Sequence, residues 1–310
     1  MKRTHRVHEP PHIHLRWALG CLLIAGLPQP QQGYTPTAAN APSTDIYLAE
    51  ISRDASGTYS VTTPRNITDR DGYDNQPAFE PGGAALLYTS ARDPMQSDVY
   101  RFELEGRGSS QVTTTAASEY SPTPMPSGGF SAINESASGQ FLWRYDADGD
   151  DRGAIFPAVQ PVGYHAWGDA DHVLMFVLGG NGSPATLQLG SLAAGTAEII
   201  AENPGRSLHR VPGRQALSFV RKLSAGEWWI EVLDLETMEF TRVVRTLPGR
   251  EDYAWAPDGT LIMGDDTRLY QSRAGGAWQQ IADLSGAGIS GISRLAINEQ
   301  GTHIAIVGNR

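Results

Sequence analysis

The sequence predicts an all-β fold, a six-bladed β-propeller of four-stranded antiparallel blades. Three observations carry this reading. A hairpin phrase recurs at intervals of 42 to 45 residues from Asn75 onward. Each recurrence is followed by two more short, alternating apolar segments separated by a turn. The chain is also rich in backbone punctuation, with 34 glycines and 20 prolines against only 19% charged residues. Such a composition suits many short strands and argues against a coiled coil or a long-helix protein.

The first residues are read apart from the fold. Residues 1–16 are basic without an apolar stretch, Trp17 to Leu27 (WALGCLLIAGL) is apolar, and the polar PQPQQG follows. That order resembles the three regions of a secretory signal. The expected organisation is a leader over 1–33, a linker over 34–43 and the propeller over 44–310, in a secreted or periplasmic protein. Ala39-Asn40-Ala41 fits a small-x-small cleavage rule, although Pro42 follows it. Cys21 is the chain's one cysteine, so disulfides and cysteine-rich zinc sites are not expected. Ala18-Leu19-Gly20-Cys21 loosely resembles a lipobox, but most of the apolar run comes after the cysteine, so an apolar-segment residue is preferred to a lipoprotein anchor. His5, His8, His12 and His14 would leave with the leader, so no metal role is expected for them. No apolar run reaches the ~18 residues of a membrane span.

The hairpin phrase reads NQPAFEPGGAALLY from Asn75, YSPTPMPSGGFSAI from Tyr120, GYHAWGDADHVLMF from Gly163, SLHRVPGRQALSF from Ser207, DYAWAPDGTLIMG from Asp252 and SRLAINEQGTHIAIV from Ser293. Its lead residues are Pro77, Pro122, His165, His209, Tyr253 and Leu295, at intervals of 45, 43, 44, 44 and 42. Third strands are expected at DVYRFEL, FLWRYDA, TLQLGSL, WWIEVLDL and RLYQSRA, and fourth strands at QVTTT, AIFPAV, AEIIAE, TRVVRT and WQQIADL. Four short strands in such an interval make one propeller blade. The last phrase has only two strands before Arg310, while TDIYLAEI and YSVTTPRNIT near the start look like a third and a fourth. Joining the C-terminal inner strands to the N-terminal outer strands completes the sixth blade and leaves no orphan edge.

Residues 66–104 resemble the TolB-type propeller repeat: Ile67-Thr68, the turn Pro77 to Gly83, the apolar Leu86 to Tyr88, Ser90-Ala91-Arg92 and Asp98-Val99-Tyr100 follow in that family's order. Parts recur at DYAWAPDG (252–259) and DIY (45–47). The resemblance implies a six-bladed fold. It does not imply TolB itself, which carries an α/β domain ahead of its propeller where this sequence has a short linker.

His165, His209 and Tyr253 hold equivalent places in three consecutive blades, with Tyr120, Tyr164, Arg210, Glu251, Asp252 and Arg294 in the same phrases. Innermost strands line a propeller's channel, so these residues are expected at one mouth, as a site for a polar or anionic small molecule, or as hydrogen-bonded channel filling. In a catalytic version, His165 or His209 is the general base and Tyr253 or Arg210 steadies an anion. The acidic run from Asp146 to Gly153 has Asp151 and Pro157 where a calcium loop needs glycine and glutamate, and is expected to be a hairpin turn. Gly286, Gly288 and Gly291 match GxGxxG but precede a strand pair, not a helix, so no dinucleotide site is expected. There is no GxSxG, the nucleophile signature of the hydrolase domain that TolB-like repeats precede elsewhere. Trp228 and Trp229 are expected to pack between blades, and Arg92 and Asp98 to tie a hairpin together. Asn66 and Asn134 head sequons, of consequence only in a glycosylating host.

The net charge is −10, and the leader holds Lys2, Arg3, Arg6 and Arg16 against Glu9, so the body is more acidic still. Nucleic acid and anionic membranes are not expected partners. The leading expectation is an exported, non-catalytic binding module for a protein or peptide partner in the cell envelope, with no cofactor and no metal. The alternative is a small-molecule, hydrolase- or lyase-type site at the central channel built on His165, His209 and Tyr253.

Overall fold

Short alternating segments separated by glycine-bearing turns cannot bury an apolar face singly, so they pair into sheets and the sheets pack on one another. The computed structural model describes residues 43–93, 96–106, 108–273 and 275–309. The leader, with Cys21 and its four histidines, and the linker as far as residue 42 lie outside the described residues. The chain opens with β1 (Thr44–Arg53), β2 (Tyr59–Val61) and β3 (Arg65–Asn66). Blade 1 is β4 (Tyr73–Phe79), β5 (Ala85–Asp93), β6 (Gln96–Glu103) and β7 (Gly108–Gln111). Blade 2 is β8 (Ser118–Pro124), β9 (Phe130–Ser136), β10 (Gly139–Tyr145) and β11 (Asp151–Ala154). Blade 3 is β12 (Val162–Trp167), β13 (His172–Val177), β14 (Thr186–Ser191) and β15 (Thr196–Glu202). Blade 4 is β16 (Pro204–Arg210), β17 (Ala216–Ser224), β18 (Glu227–Asp234) and β19 (Phe240–Arg245). Blade 5 is β20 (Tyr253–Trp255), β21 (Leu261–Asp265), β22 (Arg268–Ser272) and β23 (Gln279–Asp283). The chain ends with β24 (Ser290–Ile297) and β25 (His303–Asn309).

Ring closure takes the expected form. β25 pairs antiparallel with β1 from Thr44↔Asn309 to Glu50↔His303 without a break, and β2 and β3 continue outward from β1. Blade 6 is therefore β24-β25-β1 with a divided fourth strand, and one parallel bridge, Thr44↔Tyr73, joins it to blade 1. The segment expected as one strand, YSVTTPRNIT, is broken between Val61 and Arg65. Pro64 has no N–H for the ladder, and the Thr62 hydroxyl instead accepts the Glu50 N–H at 3.1 Å.

Apolar cores lie between neighbouring blades. Leu87, Val99, Phe130 and Tyr145 join blades 1 and 2, Tyr164, Leu174, Leu208 and Leu217 join blades 3 and 4, and Ile46, Leu48, Leu86 and Phe102 join blade 6 to blade 1. Closing the ring thus buries the last apolar face against the first, which an open array would leave wet.

Two fourth strands sit earlier in the chain than expected. In blade 1 the paired segment is Gly108–Gln111, not QVTTT, because Thr113 takes over: its hydroxyl accepts the Val99 N–H at 2.9 Å and ends the ladder. In blade 2 it is Asp151–Ala154, not AIFPAV, since Pro157 lacks an N–H and Val159 turns back onto Phe156. The acidic run between β10 and β11 is the expected turn, with the Asp146 carboxylate accepting the N–H groups of Asp148 and Asp150. Arg92 and Asp98 do not tie the hairpin as a pair. The Arg92 guanidinium lies 3.9 Å from the Tyr100 ring centroid, and Asp98 accepts from Gln96 and Gln111. Trp228 packs partly buried against the core shared by blades 4 and 5. The sequon amides are engaged internally: Asn66 donates to Asp45 at 2.8 Å and the buried Asn134 donates to the Tyr145 hydroxyl at 3.0 Å.

Candidate functional site

Five of the six inner strands carry a register shift near their starting ends, between Asn75 and Ala78, Tyr120 and Thr123, Val162 and Tyr164, Pro204 and Leu208, and Ser290 and Arg294. Such bulges re-aim side chains and are frequent near functional sites. Gln76 and Ser121, both followed by proline in the bulges of blades 1 and 2, adopt φ of 56° and 53°. Gln76 Oε1 then accepts the Ser121 N–H at 2.8 Å and the Thr89 hydroxyl at 3.0 Å, tying the two blades together.

On the face that carries the connections between blades, side chains from every blade meet around the axis. Blades 1, 2 and 3 contribute the buried Tyr73, Tyr120 and Tyr164. Blade 4 contributes Arg206 and Lys222, the approach to blade 5 contributes Glu251 and Asp252, and blade 6 contributes Arg294. Arg206 Nε lies 2.7 Å from Glu251 Oε1, and Lys222 Nζ lies 2.8 Å from Glu251 Oε2. The Arg206 backbone N–H also donates to Glu251 Oε2 at 3.0 Å. Asp252 pairs with Arg294 and lies 3.7 Å from Arg206. Arg294 stands 5.0 Å and Arg206 6.0 Å from the Tyr164 ring centroid. Gly205 permits this approach: a Cβ there would sit 2.7 Å from Glu251 Oε2 and 2.8 Å from Val220 Cβ.

Three cations thus face two carboxylates. Burial works against the Glu251 carboxylate, but Arg206 and Lys222 overcome it and hold the group well below the usual carboxylate range. Burial also opposes the charge on Arg206, which Tyr164 and Glu251 restore and raise. Arg294 is lowered, first by burial and then by Arg206. Burial raises the Tyr73 and Tyr120 phenols, which therefore stay protonated. A cleft of about 310 Å³ opens beside the cluster, with Arg206, Glu251, Asp252, Ser293 and Asn309 in its walls. The Ser121 and Ser293 hydroxyls and His165 Nδ1, all on inner strands and out of contact with solvent, have no protein partner.

Of the residues expected at the mouth, Tyr120, Tyr164, Glu251, Asp252 and Arg294 belong to this constellation. His165, His209 and Tyr253 point between blades. His165 Nε2 lies 2.7 Å from Ser131 Oγ in blade 2, and the Tyr253 hydroxyl donates to Ser218 in blade 4 at 2.8 Å. His209 bonds Ser207 on its own strand at 2.8 Å, and its ring centroid is 4.6 Å from that of Tyr253. Burial lowers His165 to about 3 and His209 to about 4, so both imidazoles are neutral near pH 7. Arg210 is exposed and forms no ion pair with a described residue. Tyr73, Arg206 and Lys222 escaped the sequence reading because they lie outside the repeated phrase. A signal existed, since Tyr73, Tyr120, Tyr164, Arg206, Asp252 and Arg294 follow one another at intervals of 42 to 47 residues. Among the described residues no group of three or more His, Cys, Asp or Glu side chains converges with metal-ligand geometry.

No protein-family model matches the chain, and no curated protein sequence matches it. Solved structures do. The chain is similar to a structure assigned as TolB from Agrobacterium tumefaciens, with TM-score 0.65 and 15% identity over 87% of this chain and 99% of that one. It is similar to TolB from Acinetobacter baumannii, with TM-score 0.55 and 11% identity over 86% of this chain and 65% of that one. It is also similar to a gluconolactonase from Xanthomonas campestris, with TM-score 0.60 and 10% identity over 89% of this chain and 98% of that one. Likeness at such low identity speaks for fold and not for chemistry. The chain therefore has the TolB-like β-propeller fold, and its sequence is not that of TolB itself.

Proposed function

We propose that the protein is an exported, non-catalytic propeller module that binds a protein or peptide partner and receives an acidic group of that partner at the axial cluster. The observation that carries this is the excess of cations: Arg206, Lys222 and Arg294 face only Glu251 and Asp252 beside an open cleft. An entering carboxylate balances the charge, and partly buried guanidinium groups bind carboxylates with strong, directional hydrogen bonds. The Tyr73 phenol, which burial keeps protonated, adds a donor. The signal-like leader and the TolB-like fold support an address in the cell envelope.

The central-channel alternative, a small-molecule, hydrolase- or lyase-type site on His165, His209 and Tyr253, has one observation in its favour: the unpartnered Nδ1 of His165 near the inner strands. The partner-binding reading is preferred because both imidazoles are already bonded to serines and are held neutral by burial. Calorimetric titration separates the two. Short peptides bearing side-chain or terminal carboxylates, the same peptides amidated, and a set of sugar acids and lactones are the probes. Saturable binding of the carboxylate peptides is expected, at least tenfold weaker in Arg206→Gln and weaker at high salt. Turnover of a lactone or sugar acid, with no peptide bound, overturns the proposal.

A further inference from the structure

The outer side of blade 4 carries a second constellation that the axial cluster does not involve. Four large apolar side chains are exposed among the described residues: Ile199, Leu223, Met238 and Phe240. Leu223 and Phe240 wall one cleft of about 370 Å³, and Met238 lies two residues before Phe240. The cleft is completed by Arg221, Arg242 and the buried Glu231. Both guanidinium groups reach Glu231 through Nε, Arg221 at 2.5 Å and Arg242 at 3.1 Å. Neither donates its terminal nitrogens to an acceptor among the described residues. Arg221 is further held with its guanidinium 5.2 Å from the Phe219 ring centroid and 5.0 Å from that of Phe240. Two rigidly placed cations around one carboxylate, flanked by exposed apolar walls, form a surface with a net positive charge on a protein of charge −10.

The backbone adds the third feature. β19 is the outermost strand of its blade and no strand among the described residues pairs with its outer edge; Trp278 Nε1 donates to the Arg245 carbonyl at 2.7 Å and Gly275 lies against that of Val243, so the open stretch is 240–242. Charged side chains alone are the common protection of such an edge. Here the charge comes with Phe240 and Leu223, which a protective edge would not expose. Fork-shaped donors beside an apolar wall match a carboxylate next to an apolar side chain, and an open strand edge matches an extended backbone.

We infer that this surface docks an extended segment of a partner protein in which acidic residues alternate with aromatic or aliphatic ones, laid along β19. The carboxylates meet the free ends of Arg221 and Arg242, and the apolar side chains cover Phe240 and Leu223. Charge complementarity selects this occupant over a second copy, because two copies related by a twofold axis would bring the arginines face to face.

The test is fluorescence anisotropy with a labelled, end-blocked octapeptide alternating Asp or Glu with Phe or Val, and with a counterpart carrying Lys at the acidic positions. The acidic peptide is expected to bind saturably and the Lys peptide not to bind. In an Arg206→Gln background, which removes the axial site, Phe240→Ser with Arg242→Gln is expected to weaken the acidic peptide at least tenfold while circular dichroism shows the fold retained. Arg242→Lys, which keeps the charge but loses the fork, is expected to fall between. Failure of the acidic peptide to bind, or equal binding to the double variant, overturns the inference. So does sedimentation showing that the wild type dimerises and the double variant does not, since the occupant is then a second copy.

Discussion

His165 of blade 3 and Ser131 of blade 2 meet at 2.7 Å, and the Trp167 indole donates to the same hydroxyl at 2.8 Å. Two blades further on the arrangement returns, with Tyr253 and Trp255 of blade 5 both donating to Ser218 of blade 4 at 2.8 Å. In blade 4 the lead residue His209 instead turns to Ser207 on its own strand.

Replacing Ser131 by alanine leaves the Trp167 N–H and His165 Nε2 buried without a partner. The expected loss is about 1–3 kcal/mol of unfolding free energy, with a similar loss for Ser218→Ala. Urea denaturation of the two variants and the wild type checks it, and a loss near zero in both would remove the shared hydroxyl as an inter-blade tie.

His165 is neutral in the fold down to about pH 3 and His209 to about pH 4, whereas an unfolded histidine takes up its proton near 6.5. Between those limits the unfolded chain binds more protons, so these groups contribute stability that is full above pH 6.5 and falls as the pH drops toward 4. His165→Gln is expected to flatten the decline. The readout is the urea midpoint as a function of pH.

Glu119 behaves in the opposite sense. It is fully buried between blades 1 and 2, accepts from Thr113, Thr115 and Tyr145, and is pushed up by burial to about 7. From about pH 4.5 to 7 the folded state holds the extra proton, so the contribution of Glu119 to stability falls as pH rises through that window. Glu119→Gln is expected to raise stability at pH 8 relative to pH 5 by roughly 2–3 kcal/mol compared with the wild type. Equal pH dependence in the two proteins would contradict the assignment.

Glu251 neutralises Arg206 and Lys222 in a largely buried setting. Removing one partner of such a network costs about 3–5 kcal/mol, because the remaining charges stay buried. Glu251→Ala is expected to lose that much, and Glu251→Ala with Lys222→Met to recover part of it. A double-mutant cycle in urea measures the recovery.

A chain ending after Leu284 lacks β24 and β25, which exposes the edge of β1 and the apolar faces of blades 5 and 1. Association and a broad, non-cooperative unfolding transition are expected by sedimentation and calorimetry. A monomer with a sharp transition would mean that the ring is not held by its closing blade.

The sequence alone determined the periodicity, the hairpins and the closure, because each follows from local rules: alternation makes strands, glycine and proline place turns, and an unpaired set of strands at each end of the chain must find the other. It also placed Tyr120, Tyr164, Glu251, Asp252 and Arg294 near the axis. Only the tertiary structure decided which side chains face one another there. Bulges in five inner strands shift the register by a residue or more, and in a strand a one-residue shift sends a side chain to the opposite face. His165, just past the bulge of blade 3, turned toward the preceding blade, as did Tyr253 on β20, the inner strand without a register shift. Tyr73, three residues before the bulge of blade 1, and Arg206, within that of blade 4, reached the axis instead. The Glu251 carboxylate drew in Lys222 from the far end of β17, a meeting of residues 29 apart in the chain that no local pattern encodes.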